Sequence, residues 1–420
     1  MDNIKILWFT NTPSLAESRL NNKLLGGGWI MSLENAIIQY IKNVSIIVVF
    51  NGDKDDEFEI NGSKYFSVKP LDTNIIKKNF FVKKYERKND EYQLRKYLKI
   101  IDQVSPDIIH IHGSEKNYGL ISKFVDIPVV MSIQGLLSVY HYKFFSGLNI
   151  VDYSKRKVPR RLLMQHQGYI RKADRELNMI RNINYVFGRT FWDRAITKLM
   201  NQKSKYYEIN RVIRSHFYNL SWKGVRDNSK PIVLVTTIRD NVYKGFETVY
   251  SAANILKESN INFIWKIAGT STNSFLIKLF NKEYSQVKDN VELLGSLNET
   301  DLAELLCESD IYVQASHIEN SPNGLAEAML IGMPCIATYV GGTGSYISQY
   351  RDGVLIQDGD PWIMAASVNE LINNEELAFS LGRNAKISAK QRHNPEKVAN
   401  DITNAYRDII DDFKSNNDLF

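Results

Sequence analysis

Residues 310–345, DIYVQASHIENSPNGLAEAMLIGMPCIATYVGGTGS, constrain the fold more than any other stretch of the chain. An apolar run around Ile311 and Val313 reads as a buried strand that breaks at Ser316 and His317. The polar turn 319–324 (ENSPNG) then leads into a helix over 325–331. Gly332 and Pro334 stop that helix, and 335–338 (CIAT) start the next strand. A strand–loop–helix–strand unit of this kind makes a parallel crossover. Its polar residues crowd the carboxyl end of the first strand, where open α/β sheets bind ligands. Glu319 lies in the loop and Glu327 in the helix, a Glu-x7-Glu pair framing a helix amino terminus. The free N–H groups and positive dipole end of that terminus suit hydroxyls or phosphate. Two glutamates at this separation carry little information alone; a cap acid and a solvated helix charge would look the same.

Length and composition set the frame. The chain has 420 residues, 44% of them hydrophobic, enough for two or three domains. Asp2 and Lys5 lead straight into a strand rather than a signal peptide, and no apolar run reaches the ~20 residues of a spanning helix. A cytoplasmic protein is expected. Cys307 and Cys335 fall in apolar elements and read as free thiols in a reducing compartment. A net charge of +6 is too small to argue for nucleic acid.

The amino-terminal half opens with a strand over 4–9 (IKILWF) and a polar loop ending in Gly26-Gly27-Gly28-Trp29. A helix over 30–41 and a strand over 44–50 follow. Three glycines at a strand-to-helix turn let backbone N–H groups approach an anion, although a plain tight turn would use them equally. Their spacing is not the dinucleotide fingerprint Gly-x-Gly-x-x-Gly. A charged helix over 86–103 precedes 107–113 (DIIHIHG), whose period puts His110 and His112 on one side. No acidic or cysteine partner at ligand spacing makes the pair a zinc site. The strand and turn 128–135 end at Gln134-Gly135. From 139 to 181 the chain is aromatic and basic, with KRKVPRR at 155–161. Such a run fits an anionic lipid face, and a solvated basic helix start fits as well. The domain boundary is expected at 220–229.

The carboxyl-terminal half begins with a strand over 232–236 and a turn containing Arg239, Lys244 and Gly245. Helices are expected over 246–257, 273–284 and 299–307. Strands over 263–268 and 290–294 end at Gly269 and Gly295. After Gly341-Gly342 come helices over 361–372 and 377–391. A last helix over 395–413 starts at a proline, with Val398, Ile402, Ala405 and Ile409 on one face.

The ordered string Glu319, Glu327-Ala328-Met329, Gly332, Pro334-Cys335-Ile336 and Gly341-Gly342 resembles the Glu-x7-Glu signature of the retaining glycosyltransferases of family 4. The likeness is dense from 231 to 353 and loose in the first half. It implies an α/β chain of GT-B architecture: two Rossmann-like, doubly wound parallel-sheet domains facing across a cleft. Residues 1–220 would form the acceptor-side domain and 229–394 the nucleotide-sugar domain. Residues 395–420 would form a helix crossing back to the first domain.

The resemblance also implies roles for single residues. Glu319 would contact the transferred sugar, assisted by backbone N–H groups of Asn323, Gly324 and Leu325, while Glu327 would accept from the ribose hydroxyls. Arg239 and Lys244 would clamp the donor diphosphate, with Gly27 and Gly28 facing it. Gly269 and Leu297 are candidates for the base, and His112 would line the cleft. Gln134 stands where many relatives have a sugar-contacting histidine; an amide can bind a hydroxyl but not titrate near neutrality. Fixed cations beside a departing diphosphate stabilise the transition state more than the ground state, so neither metal nor cofactor is expected.

The implied activity is retaining transfer of a sugar from a UDP- or GDP-sugar to a glycan or lipid-linked saccharide in surface-polysaccharide synthesis. Contact with the inner face of an anionic membrane through 155–161 is a further expectation, and nucleic acid is not. A GT-B phosphorylase needing a pyridoxal cofactor, a sugar-nucleotide epimerase and a catalytically silent nucleotide-sugar-binding protein are the rival readings.

Overall fold

The structure, a computed structural model, describes residues 3–19, 28–71, 82–148, 158–224 and 229–417. The first domain is built on β1 (Ile4–Thr10), β2 (Val44–Asn51), β3 (Asp56–Ile60), β4 (Ser63–Val68), β5 (Ile108–His112), β6 (Val129–Ser132), β7 (Tyr185–Gly188) and β8 (Lys205–Glu208). They lie in the order β3-β4-β2-β1-β5-β6-β7-β8. Helices α1 (Gly28–Tyr40), α2 (Val82–Val104), α3 (Leu137–Lys143), α4 (Arg160–Ile180) and α5 (Phe191–Met200) connect them. Near-continuous apolar strands such as ILWF in β1 and IIVVF in β2 suit a sheet covered on both faces. The strand order reverses at β1, so a crevice opens at the carboxyl ends of β1 and β5.

Two features of this sheet depart from the sequence expectation. Strands β3 and β4 pair antiparallel through Asn61-Gly62, where both φ angles are positive (51° and 80°). Asn-Gly is the usual residue pair of such a two-residue hairpin. The acidic strand β3 blunts the sheet edge, and short β8 closes the other side.

The second domain stacks β9 (Ile232–Thr237), β10 (Phe263–Ala268), β11 (Val291–Gly295), β12 (Ile311–Gln314), β13 (Cys335–Thr338) and β14 (Val354–Ile356). All pairs are parallel, in the order β11-β10-β9-β12-β13-β14. Its helices are α6 (Phe246–Glu258), α7 (Phe275–Leu279), α8 (Asn281–Val287), α9 (Glu299–Glu308), α10 (Asn323–Ile331), α11 (Pro361–Asn373) and α12 (Glu375–Arg392). The single helix expected over 273–284 is two, because Phe280 leaves helical geometry (φ −104°, ψ 29°) while its ring is buried. Here the order reverses between β9 and β12, and the Lys244 turn and the Glu319 loop leave those two strands.

The chain crosses between the domains in both directions. Helix α13 (Pro395–Asn417) sends Val398, Ile402, Tyr406 and Ile409 into the first domain's core beside Trp8, Ile30 and Ile37. The buried Trp8 Nε1–H donates to Tyr406 Oη at 3.2 Å, and Tyr406 Oη lies 2.6 Å from His110 Nδ1. Indole can only donate, so the phenol accepts from Trp8, and its own O–H is free to donate to His110 Nδ1; His110 Nε2 lies 2.7 Å from Ser132 Oγ. In return, Phe144 of the α3 end and Leu162 of α4 are buried in the second domain's core with Phe246 and Tyr250. The aromatic run that the sequence assigns to lipid is therefore divided. Phe144 is 3% exposed against the other domain, and Tyr142 remains 79% exposed. No helix among the described residues is long and apolar enough to cross a membrane. Cys307 and Cys335 are free and buried.

Candidate active site

The Glu319 loop is held from below by backbone packing. A Cβ on Gly341, at φ +50°, would stand 1.9 Å from the Glu319 carbonyl oxygen, which also accepts from Gly342 N–H at 2.9 Å. A Cβ on Gly324 would stand 2.0 Å from Thr237 Oγ1 and 2.5 Å from Tyr312 Oη. Glycine at 324 thus lets the first turn of α10 seat directly on the ends of β9 and β12, and glycine at 341 lets the Glu319 backbone descend onto β13.

On that platform Glu319 is buried, and its Oε1 accepts from Lys244 Nζ and from Ser316 Oγ at 2.8 Å. The pairing joins the turn after β9 to the loop after β12 across the switch point. Glu327 lies further along α10, almost fully buried, its Oε1 accepting from Arg214 Nη2 at 2.7 Å and Nε at 3.0 Å. Burial raises the Glu327 carboxyl above the usual range, and Arg214 pulls it back. The two acids therefore face different cations. Glu319 is fastened within its own domain, and Glu327 to the linker that follows β8.

The other expected residues fall around this pair. Asn323 opens α10 on the surface, and Leu325 is fully buried. Arg239 stands on the exposed part of the Lys244 turn. Gly269 (φ +97°) joins Gly295 by an N–H···O bond of 2.7 Å, and Leu297 packs on the apolar cluster containing Ala268 and Leu325. These positions line one strand-end edge. Gly27 lies outside the described residues. Gly28 begins α1 against Arg214, whose Cδ would be 3.2 Å from an added Cβ.

From the first domain, Gln134 Nε2 donates to the His112 carbonyl at 3.0 Å, and the Gln134 carbonyl accepts from Asn320 Nδ2 at 3.2 Å. Gln134 is thus one residue's reach from Glu319. His112 does not line the cleft as expected; it is fully buried between Trp8 (4.5 Å between ring centres) and His110 (3.7 Å). Packing against α1 and β1 takes its ring inward. Burial, aided by Arg189, pushes it down to about 3, so the imidazole is neutral.

Sequence reasoning missed the groups that join the two faces. Asn320 is completely buried and bonded to the first domain on both ends of its amide. Its Nδ2 donates to Asp193 Oδ2 at 3.0 Å, and its Oδ1 accepts from Thr190 Oγ1 at 2.7 Å. Arg189, Arg211 and Arg214 reach across to residues 321, 323 and 327. Beyond the loop, His317 bonds Asp358 Oδ1 at 2.6 Å and Glu247 Oε1 at 2.7 Å, and Lys143 of α3 meets Asp358 at 3.4 Å. Burial alone would lower His317, but the two carboxylates prevail and hold it at about 9, so it is an imidazolium at neutral pH. Among the described residues no group of three or more His, Cys, Asp and Glu could hold a metal ion.

Residues 221–388, nearly the whole second domain, match the family model described as Glycosyl transferases group 1. N-acetyl-alpha-D-glucosaminyl L-malate synthase of Bacillus anthracis is 28% identical over 192 residues, 46% of this chain and 49% of that protein. An alpha-1,3-N-acetylgalactosaminyltransferase of Campylobacter jejuni, which acts by its name on N,N'-diacetylbacillosaminyl-diphospho-undecaprenol, is 25% identical over 330 residues, 78% of this chain and 80% of that one. The chain spans only about half the length of the Bacillus relative.

Two solved structures extend the likeness to the full length. Sucrose-phosphate synthase of Thermosynechococcus elongatus superposes with a TM-score of 0.73 at 14% identity, covering 97% of this chain and 99% of that one. Anabaena HepE in complex with UDP gives 0.66 at 15%, covering 96% and 100%. The architecture is GT-B, two parallel-sheet α/β domains facing each other. The family match is confined to residues 221–388, and the shared architecture is a likeness of fold.

Proposed function

We propose that this protein is a retaining, metal-independent glycosyltransferase. It moves a sugar from a nucleoside-diphosphate sugar to a glycan or lipid-linked saccharide during synthesis of a surface polysaccharide. The observation that carries this reading is the Lys244–Glu319 pair, set at the switch point of the second sheet beside the amino terminus of α10 and within one residue of first-domain contacts. Glu319 would hold hydroxyls of the transferred sugar, Glu327 those of the ribose, and Lys244 with Arg239 the diphosphate. The bond from the anomeric carbon to the diphosphate breaks with its electron pair on the phosphate oxygen. The acceptor hydroxyl attacks the same face, and its proton passes to that departing oxygen. Cations fixed before the reaction stabilise the growing charge without reorganising.

The Campylobacter relative's named acceptor favours a lipid-linked saccharide, and HepE's bound UDP favours a uridine donor. Of the basic run 155–161, residues 155–157 lie outside the described residues; Arg160 and Arg161, exposed at the start of α4, favour peripheral contact with an anionic inner membrane face. The test is Glu319→Ala with release of nucleoside diphosphate as readout and donor binding measured separately. Turnover is expected to fall roughly 10²–10³-fold while nucleotide still binds. Wild-type turnover in the variant would defeat the assignment.

A further inference from the structure

Two arginines of the first domain converge on one neutral oxygen of the second. Arg189 Nη1 donates to Ser321 Oγ at 3.3 Å, and Arg211 Nη2 donates to the same atom at 3.1 Å. Arg211 Nη1 also reaches the Ser321 carbonyl at 3.3 Å and Asn323 Oδ1 at the first turn of α10. Both guanidiniums lie over the Trp29 ring, 5.6 and 5.0 Å from its centre. Both residues are buried, 3% and 6% exposed.

Among the described residues neither guanidinium has a carboxylate of its own at ion-pair distance, and the buried Nε of each has no hydrogen-bond partner. The buried Asp193 accepts from the Arg189 backbone N–H at 3.1 Å, not from its guanidinium. The acid whose charge reaches Arg211 is Glu327, already engaged by Arg214. Residues 20–27, which lead into α1, contain no acid. Burial, then repulsion from Arg189, pushes Arg211 down to about 9. A cation at a helix amino terminus also opposes the helix dipole. Two desolvated like charges beside the positive end of α10 repel one another unless an anion stands between them.

The geometry points to a phosphate-type oxyanion held between Arg189, Arg211 and the first turn of α10, bridging the two domains. Forked guanidinium N–H groups match phosphate oxygens, and the helix supplies further donors. The Arg239 and Lys244 clamp proposed above belongs wholly to the second domain. Arg189 and Arg211 add cations from the first, so capturing the anion and closing the cleft become one event. The source is either the donor's diphosphate or a phosphorylated acceptor, and that assignment rests on the proposed transferase activity.

Calorimetric titration of the full chain with inorganic pyrophosphate tests the site, comparing wild type, Arg189→Gln and Arg211→Gln. Loss of one charged hydrogen-bonding group is expected to weaken binding roughly 10- to 100-fold, with Arg211→Lys recovering part of it. Pyrophosphate affinity within about twofold of wild type in both glutamine variants would show interdomain contacts only and overturn the inference. Hydrogen exchange on the wild type gives a readout that needs no variant. Pyrophosphate should protect amides at 321–325, and protection confined to other segments would also overturn it. Displacement of pyrophosphate by UDP assigns the site to the donor. Displacement by glucose 6-phosphate but not UDP keeps the oxyanion site and removes the donor from it.

Discussion

On the second-domain face of the cleft, Glu319 and Lys244 are placed by two neighbouring strand-to-helix turns whose glycines rest on backbone oxygen atoms or strand-end hydroxyls. On the opposite face, Arg189, Arg211, Thr190 and Gln134 meet the same loop through hydrogen bonds to side chains and carbonyls. The first arrangement lies within one domain and is sterically fixed. The second exists only while the domains are together, and each of its bonds can be exchanged for water or ligand when they part. Under the proposed transferase reading, one face would be prepared for chemistry in advance and the other would complete the site on closure.

The comparison breaks first at Glu319. If the fixed face supplies the chemistry, Glu319→Ala costs the 10²–10³-fold stated above, larger than any first-domain substitution outside the arginine pair. The His317 cluster gives the next largest effect, because it ties the second domain's loop to α6 and the 358 turn. Its pKa is raised from 6.5 to about 9, so its contribution is complete below about pH 6.5 and is lost as pH rises through 9. That contribution is on the order of 3 kcal/mol. Thermal melts should therefore fall across this window, and His317→Gln should remove the fall. A profile unchanged in the variant would detach the cluster from stability.

Gly341→Ala forces a Cβ against the Glu319 carbonyl at positive φ and is expected to cost roughly 1–3 kcal/mol in urea unfolding. A neutral result would mean the fixed face yields more than its packing implies. Smallest is Tyr406→Phe, which strands Trp8 Nε1 and His110 Nδ1 and should cost about 1–3 kcal/mol in the same assay, near the low end.

The two faces also differ in how far the sequence discloses them. Glu319 through Gly342 is one continuous run, so strand, loop, helix and strand can be read from apolar periodicity and the stops at Gly332 and Pro334. The hairpin at Asn61-Gly62 had a local signal too, and it was the acidic strand before it that concealed a sheet edge. Nothing local marks Arg211, whose partner Ser321 is 110 residues away, or Arg214, 113 residues from Glu327. Their one hint is that Ile209, Val212 and Ile213 surround them, which places charged side chains on a segment otherwise bound for the interior. His112 misleads for the opposite reason. Strand period assigns it a side of the sheet, but only the packing of Trp8 and Trp29 decides that this side is sealed.

Because α13 docks beside β1 and α1 while α12 stays with the second sheet, the polypeptide is stitched across the gap at two separate seams, one after β8 and one between Arg392 and Pro395. A body sewn at two points swings about the line joining them, as a door does, and cannot twist freely like a bead on a string. Cutting the chain before Pro395 would free that motion, and it would also strip a wall from the amino-terminal core.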